Sequence, residues 1–276
     1  MDSEYREIFS RNFGFYTEVE QGKLQKATIA IAGMGGVGGL LAERLIRAGI
    51  GHIKITDQGT FEKSNLNRQF GSSILTLAQN KASVVFHQIK DINPNAKIEY
   101  YENGLQNESG IDAFVEGCDI VVDEMDTTAF KQSILLQRTS RKRGLHYLFS
   151  SALGFGALVA IFSPGGQTLE EYNGLVPGVN LDQLNNLTIS LEKIAPVMPS
   201  YASIISATLI EKIMKGEAPI PTTSIGAGLA SIMGANEAIN IVIKKRELII
   251  APKYIYVDLL DLRLIIGTMS CQLHIN

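Results

Sequence analysis

Seven consecutive residues constrain this chain more than any others: Gly33-Met34-Gly35-Gly36-Val37-Gly38-Gly39. They follow TIAIAG at 28–33, a short β-branched run of the kind that forms a buried parallel strand. They precede LLAERLIRAGI, in which Leu40, Leu41, Leu45 and Ile46 recur at helical spacing. A second apolar run, HIKITD at 52–57, ends in Asp57. Strand, glycine turn, helix and strand in that order predict an α/β fold around a mainly parallel sheet.

The alternation continues. The spacing predicts a helix over 79–91 stopped by Asn93-Pro94, and a third strand at 97–102. A short helix near 108–116, a strand ending at Asp123, a helix over 128–143 and a strand in HYLFSSA follow. This is a Rossmann-like, doubly wound sheet with helices on both faces. After Gly154 the pattern loosens. GFGALVAIFSPGG reads as a strand and a turn, residues 165–190 as a loop, 200–215 and 224–245 as helices, and YIYVDLL with DLRLIIG as an antiparallel pair. The expected division is an N-terminal arm at 1–27, a nucleotide-binding unit at 28–157, and a mixed or antiparallel extension at 158–276 that completes the same domain. Gly226, Gly228, Gly234 and their Ala and Ser neighbours mark the 224–245 helix for close backbone approach, in the core or at a subunit interface.

Bulk properties narrow the classes. A net charge of −3 leaves no general nucleic-acid footprint. The two cysteines, Cys118 and Cys271, form no CxxC pair, which excludes a four-cysteine zinc site and fits a reducing cytoplasm. The polar N-terminus shows no secretory leader. Residues 194–210 and 218–236 are uncharged enough to raise a membrane question, but their Pro and small polar content points to buried helices with their approaches.

G-x-G-x-x-G between a strand and a helix lets backbone N–H groups approach a phosphate, through Gly33, Gly35, Gly36 and Gly38. Asp57 then stands where an acid accepts from ribose hydroxyls. These features alone leave NAD, FAD and ATP open. The hexamer Ser64-Asn65-Leu66-Asn67-Arg68-Gln69 bears on the choice. Arg68 can reach a polyphosphate from there, Asn65 can fix the loop, Lys81 begins the next helix, and Asp126 follows the strand at 119–123. Cations on phosphates and an acid for magnesium suit phosphate chemistry better than hydride transfer.

These motifs, with INPNA at 92–96 and DEMD at 123–126, resemble the ThiF/MoeB/HesA group, bacterial relatives of the ubiquitin-activating enzymes. The resemblance is specific over 5–157 and weaker beyond. It implies a homodimer that uses MgATP to adenylate a carboxylate, often the terminal glycine of a sulfur carrier. Asp57 would bind ribose, Arg68 and Lys81 the phosphates, and Asp126 magnesium. Asn65 and Gln69 would belong to the same nucleotide loop, and Arg11 would reach the partner's ATP. The departures are Gly59 in place of a second acid, Thr127 in place of an asparagine, and no cysteine between 119 and 270. The expected activity is therefore adenylation of a peptide or small-protein carboxylate without a cysteine thioester, as in peptide tailoring, with Tyr172, Asn173, Leu175 and Val176 as a substrate wall. The alternatives are a sulfur-carrier adenylyltransferase, a NAD(P)- or FAD-dependent oxidoreductase, and a non-catalytic nucleotide-binding scaffold.

Overall fold

In the computed structural model, residues 3–184, 191–215 and 217–270 are described. An eight-stranded sheet runs in the order β3-β2-β1-β4-β5-β6-β7-β8. Strands β1 (Thr28–Ala32), β2 (His52–Thr56), β3 (Lys97–Tyr101), β4 (Ile120–Asp123) and β5 (His146–Leu153) are parallel. Strands β6 (Gly156–Phe162), β7 (Lys253–Asp258) and β8 (Arg263–Thr268) continue the sheet antiparallel. The fold is the expected Rossmann-like one with an antiparallel C-terminal extension.

Period-two side-chain alternation explains why the central strands read as unbroken apolar runs. Ile29, Ile31, Ile120, Val122, Leu148, Val159 and Ile161 face one core, and Ala30, Ala32, Val121, Tyr147, Leu158 and Phe162 face the other. The first core is closed by α2 (Glu18–Lys26), α3 (Gly38–Ala48), α4 (Lys81–Ile92) and α10 (Ser224–Ile243). The second is closed by α5 (Glu108–Val115), α6 (Phe130–Lys142) and the short α7 (Leu169–Tyr172). Helix α10 lies directly on β5, β6 and α3 because it carries so little bulk. A Cβ on Gly226 would stand 2.4 Å from the Gly154 carbonyl oxygen, and one on Gly234 would stand 2.7 Å from Ser150 Oγ. Gly226 and Gly234 thus serve the core of this chain, whereas a Cβ on Gly228 would meet nothing within 4 Å. Among the described residues α10 is the one helix long and apolar enough to cross a membrane, and over half of it is buried.

Two stretches differ from expectation. The 200–215 helix is broken: a 3-10 turn spans Ser200–Ile204, and α9 (Ala207–Met214) starts afresh under Ser206, which caps Leu209 N–H at 3.2 Å. The 165–190 loop contains α7, set by a Thr168–Glu171 capping box, and a 3-10 turn at Leu181–Leu184, while 185–190 lie outside the described residues. Within it Tyr172 and Asn173 line a pocket, Leu175 is half-buried and Val176 is exposed. The N-terminal arm carries α1 at Ser3–Ile8 and α2 at Glu18–Lys26. Tyr5 and Phe9 pack within this chain, Tyr5 donating to the Gly49 carbonyl at 2.6 Å, while Phe15 stays 85% exposed.

At the β2–β3 margin, Glu99 takes Lys97 Nζ at 2.7 Å, Tyr101 O–H at 3.0 Å and His52 Nε2 at 2.8 Å. The Lys97 hydrogen bond is the largest influence holding its carboxyl down at about 2, against an ordinary 4.5. A depressed carboxylate stabilises the fold above its unfolded value and loses that contribution as pH falls. Glu99→Gln should therefore cost about 1 kcal/mol at neutral pH, after discounting for partial solvent screening. The loss should fade between pH 4.5 and about 2. Urea titrations across that range check it, and a pH-independent difference would contradict it.

Candidate nucleotide site

The sheet's order reverses between β1 and β4: the chain leaves β1 toward β2 on one side and later returns to β4 on the other. Open parallel sheets bind ligands at the carboxyl ends of strands beside such a switch. A cleft of 620 Å3 lies here, lined by the glycine turn, Asp57, Arg68, Gln69, Lys81 and Asp126, among others. Two glycines are fixed by geometry. Gly33 has φ +93°, and a Cβ there would come within 2.4 Å of the Glu124 carbonyl oxygen. A Cβ on Gly38 would stand 1.9 Å from the Gly33 carbonyl oxygen. Gly35 has nothing within 4 Å of such a position, so the turn presents bare backbone to the cleft at the amino end of α3. That end carries partial positive charge and unpaired N–H groups.

Asp57 does more than was expected. Its Oδ2 accepts Met34 N–H at 2.7 Å and its Oδ1 accepts Gly59 N–H at 2.7 Å, so the carboxylate ties the glycine turn to the end of β2. Each oxygen keeps a lone pair for a ligand. Gly59, which stands where an acid was anticipated, leaves room for lysine: a Cβ on it would lie 3.7 Å from Lys81 Nζ. Lys81 opens α4 behind the Asn80 cap, and its N–H donates to the Gly59 carbonyl at 2.9 Å.

Arg68 folds over the glycine turn. Its Nε would lie 3.0 Å from a Cβ on Gly36, and its Nη1 donates to Asn67 Oδ1 at 2.8 Å and to the Ser64 carbonyl at 3.2 Å. Asn65 is buried and does not line the cleft; its Oδ1 accepts Glu62 N–H at 3.0 Å and closes the loop that carries Arg68. Gln69 does line the cleft, and its buried Oε1 has no hydrogen-bond partner among the described residues. An orphaned acceptor of that kind is a place for a ligand or water donor.

Asp126 is exposed at the cleft's opposite wall and caps a 3-10 turn, Oδ1 accepting Thr128 N–H at 3.0 Å. Among the described residues no cluster of three or more His, Cys, Asp or Glu side chains is placed to hold a metal ion. A lone carboxylate on the wall of that cleft still fits magnesium, which takes one or two carboxylates and fills its shell with phosphate and water oxygens.

Arg11 is not brought to this cleft. It is exposed on the 3-10 turn Ser10–Asn12, which Asn12 pins to the Ala48 carbonyl at the far end of α3. At 1.5 Å per residue, that helix separates Arg11 from the glycine turn by about 16 Å.

Sequence reasoning passed over Glu124. Its neighbour Asp123 points into the α5–α6 core, so alternation turns Glu124 toward α10 and the cleft. Its Oε1 accepts Ser150 N–H at 3.1 Å and Ser150 O–H at 2.6 Å, and burial first, then Asp123, pushes its carboxyl well above the usual range. The acid is visible within DEMD, but only the strand register shows which way it faces.

Of the cysteines, Cys271 lies outside the described residues. Cys118 is buried, its Sγ 3.7 Å from the Phe114 carbonyl, and burial pushes the thiol up to about 11. A thiol held protonated in that way is a poor nucleophile. Cys118→Ala should leave catalysis at the wild-type rate; a reducible enzyme–substrate adduct that disappears in this variant would contradict that.

Comparison with known proteins agrees with the geometry. The chain is 33% identical over 147 residues to the tRNA threonylcarbamoyladenosine dehydratase of Bacillus subtilis, covering 51% of this chain and 55% of that protein. It is 28% identical over 142 residues to the sulfur carrier protein adenylyltransferase of Thermus thermophilus, covering 51% of each. It thus spans about half the length of these curated relatives. In fold it resembles MccB of Escherichia coli solved with ATP, with a TM-score of 0.73 and 20% identity, covering 99% of this chain and 76% of that one. A similar likeness, at TM-score 0.71 and 15% identity, extends to PaaA, covering 98% of this chain and 75% of that one. Residues 9–274 match the ThiF family, and with a switch-point cleft built on its glycine turn, the chain belongs to that family.

Proposed function

We propose that this protein adenylates a carboxylate of a peptide or small protein with MgATP and releases or passes on the acyl-adenylate without a cysteine thioester. The observation that carries the reading is the placement of Arg68 and Lys81 in one cleft with Asp126 facing them. A carboxylate oxygen attacks the α-phosphorus, a P–O bond to pyrophosphate breaks, and negative charge gathers on the leaving group. Such a step needs alignment and charge neutralisation rather than a protein nucleophile. In this reading Arg68 and Lys81 hold the phosphates. Asp57 and the orphaned Gln69 oxygen take ribose or base donors, and Asp126 with phosphate oxygens would hold magnesium, which supplies further neutralisation.

The fold likeness to MccB, which was solved with the peptide MccA as well as with ATP, favours a peptide substrate. The names of the curated relatives keep a sulfur carrier or a tRNA-borne acid as the other candidates. A homodimer in a cytoplasmic setting, with Arg11 acting across the interface, belongs to the same reading.

The test has two parts. Calorimetry should show MgATP bound far more tightly than NAD or FAD, and peptides with a free carboxylate should stimulate ATP–pyrophosphate exchange. Preference for NAD over ATP would sink the adenylation reading.

A further inference from the structure

A second, smaller pocket opens off the nucleotide cleft. It holds 110 Å3 and shares Met125, Asp126, Thr127, Ser150, Ser151 and Ile194 with it. The cleft lies along the carboxyl edge of the sheet, whereas this pocket runs back over the face covered by α6 and α7. Its depth is walled by Phe130, Phe149, Leu169 and Tyr172. The aromatic wall is braced: Phe149 and Tyr172 meet edge to face at 6.0 Å, and Phe162 backs Tyr172 at 5.2 Å.

The polar floor is already engaged. Asp123 Oδ1 accepts Met125 N–H at 3.0 Å, and Oδ2 accepts the hydroxyl of buried Tyr147. Among the described residues the one cation on the lining, Lys193, already donates its Nζ to the Ser270 carbonyl, so a charge brought in by a ligand meets little that is free to compensate it, and burying an unpaired charge is costly. A single water needs about 10–15 Å3 of such space, so the pocket has room for a side chain of several non-hydrogen atoms. A glycine terminus would leave this space and its aromatic walls unused.

We infer that this pocket receives the side chain of the residue whose carboxylate is activated, and that the substrate therefore ends in an uncharged residue of moderate size rather than in glycine. The inference rests on the adenylation reading. It places the reacting carboxylate at the shared mouth beside Asp126, with the chain's last side chain turned inward and the rest of the peptide running out along the cleft. The selectivity follows from packing, since each methylene of fit in an apolar pocket is worth roughly 10–200-fold in discrimination.

The experiment is ATP–pyrophosphate exchange on the full chain, with peptides identical except for a terminal Gly, Leu, Asn, Asp, Lys or Trp. Leu- and Asn-ended peptides should exceed the Gly-ended one in kcat/KM by about tenfold or more, and Asp-, Lys- and Trp-ended ones should fall well below Leu and Asn. Asn173→Phe adds bulk to a pocket wall that the cleft does not share. It should shift the Leu-to-Gly ratio toward glycine, and a ratio within one protein is insensitive to how much of it folds. A Gly-ended peptide as good as or better than the others, or a ratio unmoved by Asn173→Phe, would overturn the pocket assignment and leave adenylation standing. Exchange with none of the peptides would overturn the peptide-adenylation reading, and the pocket assignment with it.

Discussion

Asp126→Asn should keep the fold and lose roughly a hundredfold or more of pyrophosphate exchange, the rate equivalent of the several kcal/mol that a bound cation supplies. The variant separates two jobs of one side chain. Asp126 caps the turn Thr127–Ala129 by accepting Thr128 N–H, and asparagine caps as well as aspartate. What asparagine lacks is the charged oxygen that a hard cation requires. Thermal unfolding should therefore move little while exchange collapses. Exchange at the wild-type rate would show that Asp126 is a cap and nothing more.

The arm makes the second prediction. Arg11 is exposed, about 16 Å of helix away from its own glycine turn, on a segment held by the Asn12–Ala48 and Tyr5–Gly49 hydrogen bonds. It cannot serve the cleft of its own subunit without unfolding that segment. If it acts at all, it acts on a neighbour's cleft, as an arginine delivered in trans to a transferring phosphate. Such residues are worth roughly a thousandfold or more. Arg11→Ala should therefore depress exchange by that order, with folding unchanged. Mixing it with Asp126→Asn should restore part of the activity, because one cleft of each mixed dimer then holds both an intact acid and an intact arm. No recovery despite demonstrated subunit exchange would remove Arg11 from the mechanism. The 85% exposed Phe15 on the same segment is consistent with a surface that meets another molecule.

The parallel core and the glycine turn between β1 and α3 were legible in the residues alone. Both rest on local rules that hold whatever the rest of the chain does. Two β-branched runs around a glycine turn leave few arrangements, and the collisions that a Cβ at Gly33 or Gly38 would cause show why glycine stands there. Arg68 and Lys81 stood out in the sequence through the SNLNRQ hexamer and the helix start at NKAS, and the fold brings both to the cleft. Tertiary structure alone decided the rest. Whether the small residues of α10 face the core or a partner depends on what packs against them, and Gly154, Ser150 and Leu41 come from far along the chain. The burial of Tyr172 is set by long-range packing on Phe149 and Phe162, over a stretch with weak periodicity of its own. Asp123, in the floor of the smaller pocket, and Glu124, on the cleft, are the clearest case. Adjacent acids at 123 and 124 look alike in a sequence, but strand pleating sends one into the α5–α6 core and the other into the cleft, and only the partners waiting on each side, Tyr147 and Ser150, give them different chemistry.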